Sequence, residues 1–179
     1  MKKKLQIIIP IIVIILIVGI IVIKNNDNKK LKEENNNFTQ NGDNIPFIIE
    51  DASLEKLKQY NMPVIVDFGA DWCAPCKAME PTLKKLNKDM QGKAAIQFLD
   101  INKYPNGAKG YPVELIPTQL FINADGSPYV PSDKLSKEIE FKKYFKKDDG
   151  SHYYTVHTGY LSEEQMLQIL EDMGVKIDG

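Results

Sequence analysis

The chain of 179 residues contains no arginine, and it has only two cysteines, two histidines and one tryptophan. Its formal net charge is −1 at pH 7, because the lysines nearly balance the aspartates and glutamates. Sequence-independent binding to nucleic acid depends on a strongly basic surface. The lack of arginine and the near-neutral charge therefore argue against a nucleic-acid-binding protein.

Both cysteines lie in one short stretch, so none lies near the N-terminus, where it could carry a lipid. Cys73 and Cys76 flank Ala74-Pro75, at the point where the apolar run Val64–Phe68 gives way to a helical pattern. Two intervening residues close a small ring that one helical turn can hold, so the pair can alternate between dithiol and disulfide. A helix start favours the thiolate of Cys73, which would be the nucleophile, and Cys76 would resolve the mixed disulfide.

A zinc site is an alternative interpretation of the same cysteines. His152 and His157 have four residues between them, which is acceptable zinc spacing, so the four side chains could form one site. However, about 75 residues separate the two pairs, far more than in a compact zinc finger. We therefore favour a redox pair, which needs no metal or organic cofactor, over zinc or a purely structural disulfide.

Several separated motifs resemble those of the thioredoxin family. Trp72–Lys77 reads Trp-Cys-Ala-Pro-Cys-Lys and is similar to the active-site motif, with Ala74 where thioredoxin itself usually has Gly. Pro81 falls where the long helix of the family has its kink, and Gly159 fits the residue before the last helix. Ile116-Pro117-Thr118 resembles the cis-proline segment. The resemblance covers about residues 47–174.

The resemblance implies an α/β thioredoxin fold, a central mixed β-sheet flanked by helices. It also implies that substrate is bound beside the disulfide by a surface with these members: Trp72, Ala74, Pro75, Ile116, Pro117 and Thr118. Asp67 falls at the buried acid of the family, which accepts the proton of the resolving thiol. Its strand is otherwise apolar, so burial should raise the pKa of Asp67. Many thioredoxins have a lysine facing this acid, but the matching residue here looks like Phe98, so Asp67 should be harder to ionise.

The N-terminal region predicts a membrane anchor. Residues 1–4 are a short basic start, and residues 5–23 form an apolar run long enough to nearly span a hydrocarbon core. No small-residue cleavage site follows, so we expect an uncleaved signal-anchor helix, with a cleaved signal peptide as the alternative. Lysines flank both ends, and the resemblance to tethered thioredoxin-like domains favours an extracytoplasmic domain on a single-pass anchor. Residues 24–46 are polar and predict a flexible linker.

Residues 47–179 are long enough for one domain with its own core. Periodicity and capping signals predict a helix after an N-cap at Ser53, a short helix from Asn102 or Pro105 to near Gly110, and a last helix that begins with a capping box. The expected ranges are 54–60, 74–90 and 162–173 for the longer helices, and 64–68, 95–101 and 115–122 for the strands.

An insertion of about residues 127–151 distinguishes the chain from the short thioredoxin pattern. Gly126 to Gly159 spans about 33 residues, where a simple hairpin needs about ten. A turn at Asp149-Gly150 predicts an extended hairpin arm between 139–146 and 152–158, rich in lysine and aromatic residues. This arm could be a solvated edge or a docking surface for a redox partner.

Together these features predict a membrane-anchored thiol–disulfide oxidoreductase that acts on protein disulfides and is monomeric. The dipeptide Ala74-Pro75 lacks the histidine of strongly oxidising relatives, and Ile116 before the proline is similar to reducing thioredoxins, so we expect a reductase. Residues 100–105 and 116–119 also resemble bacterial proteins associated with CcdA-type membrane electron carriers, a possible electron donor. The alternatives are a disulfide oxidase or isomerase, or a non-catalytic zinc-binding module on a tether.

Overall fold

Five strands form the sheet at the centre of the fold in the computed structural model, which describes residues 44–177. The strands are β1 (Val64–Gly69), β2 (Ala95–Asp100), β3 (Thr118–Ile122), β4 (Lys142–Phe145) and β5 (His152–Thr158). Their order across the sheet is β2-β1-β3-β5-β4. β1 and β2 run parallel, whereas the other neighbouring pairs are antiparallel. The expected mixed sheet of the thioredoxin fold is thus confirmed.

The helices bury both faces of the central strands. α1 (Leu54–Leu57) continues into a 3-10 turn at Lys58–Tyr60, and the remaining helices are α2 (Ala74–Asp89), α3 (Leu135–Glu138) and α4 (Glu163–Asp172). Side chains of α2 and α4 pack with Ile65 on one face of the sheet, while Leu57 of α1 packs with Val66 on the other. Because helices cover both faces, every residue of β1 is buried.

Two local predictions on the first half of the domain are wrong. Ser53 stands at the start of α1, but its hydroxyl donates to an Asp51 carboxylate oxygen at 3.3 Å and does not cap the helix. Residues 101–111 form successive turns and no helix. The Asp100 carboxylate accepts the amides of Asn102 and Lys103, which offers this backbone an alternative to helical hydrogen bonds. Gly107 also packs so tightly on the Glu50 carbonyl that a Cβ would lie 2.1 Å from its oxygen.

The predictions for the second half of the domain agree better with the structure. The capping box of α4 is present, since the Ser162 hydroxyl accepts the Gln165 amide and the Gln165 side chain accepts the Ser162 amide. β3 begins at Thr118, later than expected, because Pro117 has no N–H to contribute to the ladder. Asn123 to Gly126 forms a turn, in which the Gly126 amide donates to the Asn123 carbonyl oxygen at 2.8 Å and Gly126 has a φ of 80°.

The insertion is mostly part of the core and is not a projecting arm. Tyr129, Leu135 and Ile139 are buried against the same cluster as Phe121. The rings of Phe121, Tyr129 and Phe141 form a mutual edge-to-face cluster with centroids 5.6–5.9 Å apart. Only residues 142–145 form the first hairpin strand, which adds an edge strand to the sheet. The hairpin is therefore shorter than predicted, because the residues before it bury their apolar side chains.

Hydrogen bonds join the insertion to the end of α4. The Tyr129 hydroxyl donates to an Asp172 carboxylate oxygen at 2.5 Å, and the Ser132 amide donates to the same oxygen at 2.9 Å. Partial burial disfavours ionisation of Asp172, but these two donors outweigh it and lower its pKa. The Thr155 hydroxyl of β5 donates to the Tyr129 carbonyl oxygen at 2.5 Å. Tyr129 thus connects the insertion to both the sheet and the last helix.

Within residues 44–177, no helix has the length and apolar character needed to cross a membrane. The predicted span at 5–23 and most of the predicted linker, residues 24–43, lie outside the described residues. The end of that linker instead belongs to the domain, since Ile45 is buried in the core and its amide donates to the Gln91 side-chain oxygen at 2.7 Å.

We expect Tyr129→Phe to lower the free energy of unfolding by about 2 kcal/mol, because it removes a buried donor to an ionised carboxylate. Chemical denaturation at pH 7 measures this change. Tyr160→Phe is the control, since Tyr160 is 51% exposed, and it should leave the stability nearly unchanged. Equal stabilities of all three proteins would contradict the role given to Tyr129.

Candidate active site

The two cysteines form a disulfide at the start of α2. Cys73 is the N-cap residue of that helix, and its Sγ accepts the backbone N–H of Cys76 at 3.3 Å. Pro75 lies in the first turn, where a missing N–H removes no helical hydrogen bond. Both cysteines are at least 95% buried as residues. The helix start therefore directs a backbone donor and the positive end of its dipole at the Cys73 sulfur.

The segment around Pro117 lies against this disulfide. The Ile116–Pro117 peptide is cis, as expected from the motif, and the Ile116 carbonyl oxygen lies 3.8 Å from Cys73 Sγ. The Thr118 hydroxyl donates to the Leu115 carbonyl oxygen at 2.7 Å. The Gly159 amide donates to the Pro117 carbonyl oxygen at 2.9 Å and joins this segment to the end of β5.

Exposed apolar side chains adjoin the cysteines and the cis-proline segment along the chain. Trp72 is 69% exposed and precedes Cys73, and Ala74 and Pro75 are also exposed. Leu115 is 68% exposed beside Ile116, while Tyr160 is 51% exposed directly after Gly159. Leu115 and Tyr160 were not predicted as site residues. Leu115 precedes Ile116 and Tyr160 follows Gly159, and this adjacency could have indicated them. Together these residues form an apolar surface around a reactive sulfur pair.

Asp67 lies on β1 beneath the disulfide and has no exposed surface. One carboxylate oxygen accepts the side-chain N–H of Gln119 at 2.7 Å, and the other has no hydrogen-bond partner among the described residues. Burial raises the pKa of Asp67 to about 7, and the hydrogen bond from Gln119 opposes this shift. Phe98 is the neighbour of Asp67 on β2, as the sequence indicated, so no lysine faces the acid from that strand.

Gly69 is the residue of β1 that packs closely against Cys76. A Cβ at Gly69 would lie 3.2 Å from Cys76 Sγ and 2.7 Å from the ring of Phe98, so this position has room only for glycine. Residues 67 and 69 share one face of the strand and lie about 7 Å apart. Asp67 therefore lies two residues further into the sheet than Gly69, which packs against Cys76 Sγ.

Asp100 supports the loop before the disulfide and was not recognised as a site residue from the sequence. It is 3% exposed at the end of β2, and its carboxylate accepts the Asp71 amide at 3.3 Å. Lys103 binds the carboxylate of Asp71 at 2.5 Å, and this interaction lowers the pKa of Asp71. The Cys73 amide donates to the Ala70 carbonyl oxygen at 3.0 Å and closes the loop.

The four residues of the alternative zinc site have other partners. Within the described part of the chain, no three His, Cys, Asp or Glu side chains are grouped as metal ligands. The His152 ring hydrogen-bonds with the Thr155 hydroxyl at 2.9 Å, and His157 Nδ1 lies 2.8 Å from the Glu140 carbonyl oxygen. The cysteines are joined to each other. This arrangement does not bring Cys73, Cys76, His152 and His157 together.

A disulfide at a helix start, a cis-proline segment against it and a buried carboxylate below it define the class of thiol–disulfide redox proteins. The thioredoxin family profile matches residues 47–146, more than half of the chain, and the chain therefore belongs to the thioredoxin family. The expected family membership is confirmed, and with it the activity of a thiol–disulfide oxidoreductase.

Thioredoxins of two bacteria are similar to part of this chain. Thioredoxin of Rickettsia conorii is 37% identical over 79 residues, which cover 43% of this chain and 75% of the relative. Thioredoxin of Staphylococcus aureus is 39% identical over 82 residues, which cover 42% of this chain and 78% of the relative. Among solved structures, chloroplastic thioredoxin z matches 72% of this chain and 93% of its own, with 19% identity and a TM-score of 0.48.

We expect Asp67→Asn to change the pH dependence of stability. The folded protein holds the Asp67 proton more tightly than the unfolded chain, so this carboxyl stabilises the fold below about pH 4, and the contribution is lost as the pH rises to about 7. The asparagine variant lacks this loss and should gain up to about 4 kcal/mol relative to the parent between pH 4 and pH 8.

Chemical denaturation of the oxidised protein at several pH values measures the difference. Outside the window from pH 4 to pH 8 the difference should be constant, which serves as the internal control. A difference that is flat across the whole range would mean that Asp67 ionises as readily in the fold as in water.

Proposed function

We propose that this protein is a membrane-anchored reductase of protein disulfides that acts on the extracytoplasmic side. The observation that carries the redox assignment is Cys73 at the N-cap of α2, with the Cys76 amide directed at its sulfur. The apolar run at 5–23 and the polar stretch of residues 24–43 after it are the basis for the anchor. The cysteine pair itself carries the electrons, so no bound cofactor is needed.

The first step is attack by the Cys73 thiolate on one sulfur of a substrate disulfide. A bond forms between Cys73 Sγ and that sulfur, the substrate disulfide breaks, and the other substrate sulfur leaves as a thiolate. The N–H of Cys76 and the dipole of α2 stabilise the negative charge of the attacking sulfur. This charge stabilisation makes Cys73 the nucleophile of the pair.

The second step resolves the mixed disulfide. Asp67 accepts the proton of the Cys76 thiol, and the Cys76 thiolate attacks Cys73 Sγ, which releases the second substrate sulfur. Two electrons pass from the protein to the substrate, because the two cysteines end as a disulfide and the two substrate sulfurs end as thiols. The second substrate thiolate takes up the proton that Asp67 received, and the first takes up one from water, to which Cys73 had lost its own. With a pKa raised to about 7 by burial, Asp67 is a base of suitable strength near neutral pH.

The surface around the disulfide supports binding of a peptide chain. Ile116 and Pro117 precede β3, so the backbone of Ile116 is free of the sheet ladder and can pair with an extended substrate. Thr118 fixes this segment through its bond to Leu115. Trp72, Ala74 and Pro75 form the other side of the same surface, to which Leu115 and Tyr160 add exposed apolar area.

The residues around the cysteines support the proposed direction of electron flow. Neither Ala74 nor Pro75 can donate a hydrogen bond from its side chain or add a positive charge beside the Cys73 sulfur, so the thiolate is not stabilised to the degree that makes a strong oxidant. A reductase must itself be reduced by a dithiol, and the sequence resemblance suggests a CcdA-type membrane electron carrier as donor. The protein would act as a monomer on its tether.

The reduction potential of the Cys73–Cys76 pair tests the direction. We expect a value near that of thioredoxin, about −270 mV, for the intact chain in detergent, equilibrated in dithiol buffers and read by thiol labelling. A value near the oxidising end, about −120 mV, would instead make the protein a disulfide donor, and an intermediate value of about −180 mV would favour an isomerase.

Trapping of substrates tests the roles of the two cysteines and the side of the membrane. Cys76→Ser should accumulate mixed disulfides in intact cells, because the nucleophile remains and the resolving thiol is absent. Cys73→Ser is the matched control and should trap far less. The trapped proteins should be exported ones; a set of cytoplasmic proteins would overturn the extracytoplasmic orientation.

A further inference from the structure

Gln119 is the side chain that contacts the carboxylate of Asp67 directly. Both residues are fully buried, and Gln119 Nε2 donates to the Asp67 oxygen at 2.7 Å. The same nitrogen donates to the Gly159 carbonyl oxygen at 3.2 Å and lies 3.9 Å from the sulfur of Met79. Met79 lies one turn after Cys76 on α2, so Gln119 lies between the buried acid and the helix that carries the resolving thiol.

The two hydrogen bonds determine which way the amide of Gln119 points. A carboxylate and a carbonyl oxygen accept hydrogen bonds, and only the NH₂ group of the amide has hydrogens to donate. Both hydrogens are therefore used, one toward Asp67 and one toward Gly159. A flipped amide would place two acceptors against each other at 2.7 Å, so the orientation as a donor to Asp67 is the only one that satisfies both contacts.

In the part of the chain that the structure describes, no cationic side chain contacts the Asp67 carboxylate. Across the sheet, the neighbours in the row of Asp67 are Phe98, Gln119 and His157. His157 Nδ1 hydrogen-bonds with the Glu140 carbonyl oxygen, and its Nε2 has no partner among the described residues. The other buried titratable groups on the elements around Asp67 are Cys73 and Cys76 at the start of α2, Asp100 on β2 and Tyr154 on β5. The lysines and carboxylates of α2 and α4, such as the pair Lys85 and Glu163, are at least partly exposed.

We propose that Gln119 is a positioning residue that sets the pH at which Asp67 can accept the proton of the Cys76 thiol. The inference rests on the proton-acceptor role proposed above for Asp67. A neutral amide donor stabilises the carboxylate, but less strongly than a buried cation would. Gln119 thus keeps the proton affinity of Asp67 within the neutral range despite complete burial.

Gln119 is also linked to the substrate-binding segment around Pro117. Gln119 lies two residues after Pro117 on the same strand. Its second acceptor belongs to Gly159, whose own amide donates to the Pro117 carbonyl oxygen. The amide that contacts Asp67 is therefore fixed by the same short loop that holds the cis-proline against the disulfide.

The test is Gln119→Met, which keeps an unbranched side chain of similar length and removes the donor. Carboxyl NMR of the oxidised intact chain in detergent should show that the midpoint of the Asp67 titration rises by roughly one pH unit. The rate at which the reduced protein resolves a saturating protein disulfide, followed by Trp72 fluorescence, should fall about tenfold at pH 6 and recover at high pH.

Gln97→Met is the matched control. Gln97 is equally buried on β2, but it donates to the Tyr60 hydroxyl at 2.7 Å and to the Pro46 carbonyl oxygen at 3.3 Å, on the face of the sheet opposite Asp67. Both variants lose a buried amide, and only Gln119→Met should shift the pH profile. An equal shift in both variants would show a general effect of weaker packing and would overturn the inference.

A double-mutant cycle with Asp67→Asn separates failure of this inference from failure of the proposed function. If Asp67→Asn removes the acid limb of the rate profile, Gln119→Met should have no further effect on its shape in that background. An unchanged Asp67 midpoint in Gln119→Met would overturn the role of Gln119 alone. An unchanged rate profile in Asp67→Asn would overturn the proton-acceptor role of Asp67, and this inference with it.

Discussion

The burial of β1 on both faces is the constraint on which the rest of the site depends. Every residue of this strand is covered, so its one carboxylate loses contact with water and its pKa rises. The same burial brings the end of the strand against α2, where only a glycine leaves room for Cys76 Sγ. The packing of the sheet thus makes Asp67 a base and brings β1 close to the sulfur of Cys76. The start of α2, in turn, stabilises the thiolate of Cys73.

The features of the site that could be predicted from the sequence are those with short, local signals. Cys73 and Cys76, the proline at 117 and the capping box of α4 are each defined by a few neighbouring residues. Asp67 could be placed because a single acid in an apolar strand must be buried. The partner of Asp67 could not, since Gln119 is 52 residues away and depends on the register between β1 and β3.

The insertion was harder to predict, because its structure depends on contacts far apart in the chain. The lysines and the turn at 149–150 correctly indicated a hairpin, but they gave no sign that Tyr129 binds Asp172, 43 residues later. Its core side chains, buried at 129, 135 and 139 and partly buried at 141, follow neither a strand nor a helix period over their whole length. Residues 139 and 141 were therefore assigned to a hairpin arm, although all four side chains pack in the core cluster of Phe121.

The added strand β4 changes the boundary of the sheet. An unpaired edge offers N–H and C=O groups to other chains and invites aggregation. β4 carries exposed Lys142 and Lys143 at this edge, and a charged edge resists pairing with a second copy. At the opposite edge, the backbone of Phe47 and Ile49 binds that of Phe98 and covers β2. Both margins are therefore protected, which favours colloidal stability when many copies are crowded together.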